Sequence, residues 1–96
     1  MKPLSKEEID KSLKNLSEWN FEGDKIHRDF EFADFKTALS FLVRIGFEAE
    51  DQGHHPEISN VYKSVSISLS THDAGDKVTE KDISLAKAID TVYKTY

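Results

Sequence analysis

Apolar positions along the chain follow two periods, and the switches between them mark seven elements. Ile9, Leu13 and Leu16 recur at steps of four and three, which sets them on one face of a helix. The helix opens at Ser5-Lys6-Glu7-Glu8, where the S-x-x-E spacing lets the Ser5 hydroxyl and the Glu8 carboxylate cap each other's free backbone N–H groups. Leu4 and Ile9 flank it as a hydrophobic staple. The spacing predicts a helix to about Asn15 or Leu16. Trp19 and Phe21 then alternate with polar neighbours, Gly23-Asp24 suits a two-residue turn, and Ile26, Phe30 and Phe32 share one side of the return segment. A hairpin is predicted over 19–32, with Arg28 the polar exception on that side and His27 a solvated strand residue.

The longest helix is predicted at about 35–52, with Asp34 as N-cap and Gly53 in the left-handed position that closes it. Phe35, Leu39, Leu42, Val43 and Gly46 form one stripe and Ala38, Phe41, Ile45 and Ala49 lie beside it, a face broad enough to predict burial on two sides. A short extended stretch follows at 57–61. Then Ser64-Val65-Ser66-Ile67-Ser68-Leu69-Ser70 alternates strictly, the pattern of a strand with one apolar and one wet face. Tyr62, between them, reads as packing at a strand turn. After a polar loop from Thr71 to Val78, the last helix opens at Thr79, with Asp82 as capping-box partner and Val78 facing Ile83 as a second staple. Leu85, Ala86, Ile89, Val92 and Tyr93 continue its apolar face, which could pack on its own core or on another subunit. The order α-β-β-α-β-β-α implies an α+β fold, a single domain over residues 1–96 with a four-stranded antiparallel sheet covered by helices on one face.

Composition narrows what such a domain does. Ninety-six residues hold one core, and a chain of this size buries only about 60–65% of its unfolded surface, so oligomerisation is a natural supplement to its stability. With 13 basic and 18 acidic residues the net charge is −5, and neither sign forms a block, which argues against direct binding of nucleic acid. The absence of cysteine excludes a thiol nucleophile and any cysteine-ligated zinc. No apolar run approaches the roughly 20 residues of a membrane span, and MKPLSKEEID lacks the apolar region of a signal peptide. A cytoplasmic protein without a membrane association is the expectation.

The candidate chemistry is histidine. His54 and His55 follow the long helix and His72 follows the serine-faced strand, in connections that a small scaffold can bring together, and imidazole both gives and takes protons near neutral pH. Any one of them could equally be a solvated loop residue. A metal site is disfavoured because His54 and His55 are adjacent, so that in extended backbone they point apart, although Glu50 and Asp51 could complete one. No phosphate-binding glycine motif and no G-x-S-x-G is present.

The spacing Glu50-x3-His54-His55-Pro56-x5-Tyr62-x9-His72-x9-Asp82, over 33 positions, resembles the signature of the pterin-4a-carbinolamine dehydratases, a family that includes dimerisation cofactors of a homeodomain transcription factor. The likeness extends through Glu57, Asn60-Val61, Thr71-His72-Asp73-Ala74-Gly75 and Thr79-Glu80-Lys81. Ile58 stands where members often carry Trp, and the 75–79 loop is one residue longer than the common form. The resemblance implies loss of water from a 4a-hydroxytetrahydropterin to give the quinonoid dihydropterin, in recycling of the tetrahydrobiopterin used by aromatic amino acid hydroxylases. It implies no cofactor and no metal.

Carried onto this chain, the resemblance makes His54 and His72 the candidates for the proton-transfer pair and His55 the candidate for substrate binding or a supporting proton role, assignments that could exchange. Candidate substrate-binding residues are Glu50, Asp51, Pro56, Glu57, Ser70, Thr71 and Asp82. Glu50 could orient the His54 imidazole or bind the amino-pyrimidine edge. Pro56 disfavours helical geometry at His55 and stops the helix short of the site. For Asp82, capping of the last helix is an alternative to a place in the site. The family's usual dimers and tetramers imply a homo-oligomer. A partner-binding module, of the kind that stabilises a transcription factor dimer, and a dehydratase acting on another pterin are the competing functions.

Overall fold

The computed structural model describes residues 2–96 and gives α1 at Lys6–Leu13, β1 at Asn20–Glu22, β2 at Lys25–Glu31 and α2 at Phe35–Gln52. β3 follows at Glu57–Val61, β4 at Ser64–Leu69 and α3 at Glu80–Tyr93, so the predicted order stands. The first helix closes earlier than its periodicity suggests. After Leu13 the N–H groups of Lys14, Asn15 and Leu16 bond to carbonyls three residues back, and this tighter winding still delivers Leu16 to the core.

The strands pair in the order β1-β2-β4-β3, every neighbour antiparallel. Gly23 and Asp24, with φ of 59° and 63°, make the β1–β2 turn, whose positive φ values match the twist of the flanking strands. α2 then carries the chain across the sheet to its far edge, and β3 runs back into β4 through Tyr62-Lys63. The register sets Ile26 and Phe30 opposite Leu69 and Val65, with Ile67 between them, and all five side chains are buried beneath the helices. The other face of the sheet is polar. There the Ser64 hydroxyl donates to Glu31 at 2.5 Å and that of Ser66 to Asp29 at 2.7 Å, while His27 bonds both Ser68 and Asp29. His27 is therefore half-buried and held by partners on two strands, where a solvated residue was expected.

Arg28, the polar residue on the apolar side of β2, is accounted for by α3. It donates to Asp90 Oδ1 at 2.8 Å, beside the Trp19 indole N–H, and its guanidinium lies over Phe30 and Tyr93. Around it Phe30, Phe32, Phe41 and Tyr93 form an aromatic cluster with ring centroids about 5–6 Å apart.

Packing decides three expectations. The broad apolar face of α2 is buried on one side only: Ala38, Phe41, Ile45 and Ala49 face the core, while Phe35, Leu39, Val43 and Phe47 are 45%, 42%, 60% and 69% exposed. The apolar face of α3, a candidate contact with another subunit, is consumed within the chain, with Ile83, Leu85, Ala86, Ile89 and Val92 all buried. Tyr62 likewise does not pack. It occupies the turn at φ 54° with its ring largely exposed.

Candidate active site

The sequence features that end elements also bring the histidines to one end of the molecule. Asp34 starts α2 by accepting from the Thr37 N–H and hydroxyl, and Gly53 ends it at φ 61°, where a residue with a Cβ is strained. The His54 N–H returns to the Ala49 carbonyl at 3.1 Å, which tucks this residue against the helix end, and Pro56 sends the chain into β3. From the other side, β4 runs out at Leu69. The Thr71 N–H bonds the Lys77 carbonyl, and its own carbonyl accepts from the N–H groups of Ala74 and Asp76, pinning a 3₁₀ turn at His72–Ala74.

Between these ends lies a cleft of about 270 Å³. His54, His55 and His72 all line it, with Ser70 and Thr71 and, from the flanking turns, Gly53, Asp73 and Lys81. Larger hollows, one at the α1–α3 junction of about 440 Å³ and one on the polar sheet face of about 480 Å³, hold none of these three histidines.

Each histidine is paired with a carboxylate. His54 is buried, and its Nε2 lies 2.5 Å from Asp82 Oδ1; Asp82 is wholly buried. The second Asp82 oxygen accepts from the Thr71 hydroxyl and the Thr79 N–H, both at 2.9 Å. One Asp82 oxygen thus caps α3, while the other faces a histidine 28 positions away. With Asp82 ionised its carboxylate only accepts, so the His54 ring nitrogen facing it then carries a proton, and in the neutral ring Nδ1 is the acceptor. His55 is exposed, and its Nε2 lies 2.6 Å from Glu50 Oε1. Glu50 therefore orients His55, and the orienting of His54 falls to Asp82. His72 is almost fully exposed, its Nδ1 3.0 Å from Asp76 Oδ1. That hydrogen bond, then the charges of Asp76 and Asp73, raise the His72 pKa above its ordinary value and favour the imidazolium.

The remaining candidates separate. Ser70 lines the cleft half-buried, and Thr71 does so with its hydroxyl turned inward to Asp82. Glu57 pairs with Lys25 and does not line the cleft. Asp51 is exposed and Pro56 half-buried, and neither lines the cleft. Among the described residues no three His, Asp or Glu side chains are arranged to hold a metal ion. Nor, among them, is any helix long and apolar enough to cross a membrane.

Comparison with known proteins gives the same direction. The family model described as pterin 4 alpha carbinolamine dehydratase matches residues 2–92. The chain belongs to the pterin-4a-carbinolamine dehydratase family. A protein of Christiangramia forsetii, provisionally named pterin-4-alpha-carbinolamine dehydratase, is 48% identical over 95 residues, covering 99% of this chain and 97% of that protein. A crystal structure described as a transcriptional coactivator/pterin dehydratase from Brucella melitensis superposes with a TM-score of 0.88 at 36% identity, covering 94% of this chain and 97% of that one. A pterin dehydratase-like RuBisCO assembly factor of the alpha-carboxysome shares the fold, with a TM-score of 0.63 at 20% identity over 77% of this chain and 84% of that one.

Three residues at or behind this cleft are not among the sequence candidates: Lys81, which lines it, and Asp76 and Thr79, which bond His72 and Thr71. Lys81 left one signal, a cation in the first turn of a helix, where the helix dipole prefers acids. Asp76 sits four residues beyond His72, but in an irregular loop that spacing carries no geometric meaning. Thr79 was legible as an N-cap, whereas its contact with Thr71 joins side chains across the loop.

Proposed function

We propose that this protein dehydrates 4a-hydroxytetrahydropterins, 4a-hydroxytetrahydrobiopterin among them, to the quinonoid dihydropterin by histidine acid/base catalysis. The observation that carries the reading is the convergence of His54, His55 and His72 on one cleft, with His54 backed by the buried Asp82. In the reaction the C4a–O bond breaks, the N5 lone pair forms the C=N bond, and the N5 proton leaves. His54, with Nε2–H directed at Asp82, suits the base: its Nδ1 takes the N5 proton. His72, held toward its cationic form, suits the acid: its free Nε2–H protonates the departing hydroxyl, which leaves as water. His55 and Glu50, at the exposed rim, suit the polar edge of the pterin. A proton-transfer group contributes about 10²–10⁴-fold, a scale these side chains can supply without a metal or cofactor. Such a role fits a cytoplasmic enzyme in the recycling of the tetrahydrobiopterin used by an aromatic amino acid hydroxylase, with a separate reductase converting the quinonoid dihydropterin product back to the tetrahydro form.

The exposed stripe of Phe35, Leu39, Val43 and Phe47 on α2 supports a second property. Large apolar residues at steps of four along an outward helix face suit a homo-oligomer, and the same face suits a protein partner, as a transcriptional coactivator of the kind named for the Brucella melitensis protein would need. The functional test is stopped-flow formation of quinonoid dihydropterin from freshly generated 4a-hydroxytetrahydropterin. Acceleration over buffer that survives chelation of metals is expected. A folded protein that leaves the buffer rate unchanged contradicts the assignment and brings the binding role forward.

A further inference from the structure

Thr71 occupies an extended conformation at the end of β4, with φ −106° and ψ 111°, and is 4% exposed. A hydroxyl so buried needs partners, and it has two. Its Oγ1 lies 2.7 Å from Thr79 Oγ1 and 2.9 Å from Asp82 Oδ2. Each hydroxyl has a single proton, and a carboxylate has none to give, so the direction of the chain is determined. Thr71 donates to Asp82, and Thr79 must then donate to Thr71, while Thr79 Oγ1 accepts the Lys81 N–H at 3.2 Å. Asp82 Oδ2 thus receives one donor from the N-cap backbone of α3 and one from the segment just past β4. Its position relative to β4 is tied by the Thr71 hydroxyl.

From these contacts we infer that Thr71 is a positioning residue that couples the two proton-transfer groups of the cleft. The inference rests on the function proposed above. Through its hydroxyl Thr71 fixes the rotamer of Asp82, and through Asp82 the ring orientation and tautomer of His54. Through its backbone N–H and carbonyl it pins the turn that carries His72 and Asp76. One residue therefore sets both walls of the site by separable means, since the side chain acts on His54 and the main chain on His72. The cap alone does not require the hydroxyl, because the Thr79 N–H already engages the same carboxylate oxygen.

The separation makes the inference testable. Thr71→Val keeps the branched shape and suits extended backbone while deleting the donor to Asp82 and the acceptor for the Thr79 hydroxyl. In protein with ¹⁵N-labelled histidine, wild type is expected to show His54 as a single tautomer protonated on Nε2. Thr71→Val is expected to show mixed tautomers at His54 and unchanged His72 resonances. In the dehydration assay kcat should fall roughly ten- to a hundredfold, the scale of losing a hydrogen bond to a charged group, with KM little changed. Thr71→Ser, which restores the hydroxyl, should recover both the tautomer and kcat. Should Thr71→Val not fold, Thr71→Cys, a weaker donor of similar size, replaces it and is expected to shift both readouts in the same direction. A folded variant that keeps the wild-type His54 tautomer overturns the inference, even if its activity falls, since a loss by that route is merely structural. If wild type shows no dehydratase activity the proposed function fails, and the tautomer comparison still decides the role of Thr71.

Discussion

Asp82→Asn changes the site with almost no change of shape. Asp82 Oδ1 faces His54 Nε2, and Oδ2 faces two donors, the Thr71 hydroxyl and the Thr79 N–H. An amide can offer its oxygen to only one of these sets. With the oxygen toward Thr71 and Thr79, its NH₂ faces His54, and the ring avoids opposed donors by moving its proton to Nδ1. The atom proposed to accept the substrate proton is then occupied. With the oxygen toward His54, the NH₂ meets the Thr79 N–H in a fully buried place, and that donor cannot turn away. A buried donor left unsatisfied costs about 1–3 kcal/mol, so the first arrangement prevails. Exchanging two or three charge-assisted hydrogen bonds for neutral ones, at about 1 kcal/mol each, lowers stability by about 2–3 kcal/mol. For a domain of this size that is a fall in Tm of about 8–20 °C. Loss of the base should lower kcat by roughly 10²–10⁴-fold. Urea titration sets conditions in which the variant is folded, and stopped-flow absorbance reads kcat there. The double variant with His54→Ala should be no slower than His54→Ala alone, because both changes remove one function. Folded Asp82→Asn with kcat within roughly threefold of wild type refutes the reasoning.

Other outcomes follow from single contacts. Asp76 is the first cause of the raised His72 pKa, and a group that must be protonated loses activity as pH rises through that pKa. Asp76→Asn, tolerated at φ 61°, removes the charge, so the alkaline decline of the pH–rate profile should move to lower pH with the plateau below it retained; an unmoved profile removes His72 as the acid. On α2, Val43→Glu with Phe47→Glu places two charges on the outward stripe without touching the core. Light scattering should show a smaller assembly than wild type at unchanged helical circular dichroism, and an unchanged mass would contradict oligomerisation through this face.

What was legible in the sequence was local. Ser5-Glu8 and Thr79-Asp82 announced two helix starts because the capping groups lie three residues apart, and the structure forms both boxes. Alternation from Ser64 to Leu69 fixed the buried face of β4, but the order β1-β2-β4-β3 depends on pairings across tens of residues that no short pattern carries. The apolar breadth of α2 was visible, whereas which of its sides the chain itself covers depends on where α3 docks. In the site, the three histidines were legible through motif spacing. Their partners were less so. Asp82 offered one oxygen to a local rule and the other to a residue 28 positions away, Asp76 became meaningful only once the loop was folded, and Glu57 was drawn off by Lys25.

The central claim is that His54 and His72 move the protons of dehydration. Single-turnover stopped-flow of quinonoid dihydropterin formation, with wild type and with folded His54→Ala, His72→Ala and the double variant, tests it most directly. The account predicts that each single variant loses roughly 10²-fold or more and that the double variant approaches the buffer rate. Wild-type rates in both folded single variants would contradict it.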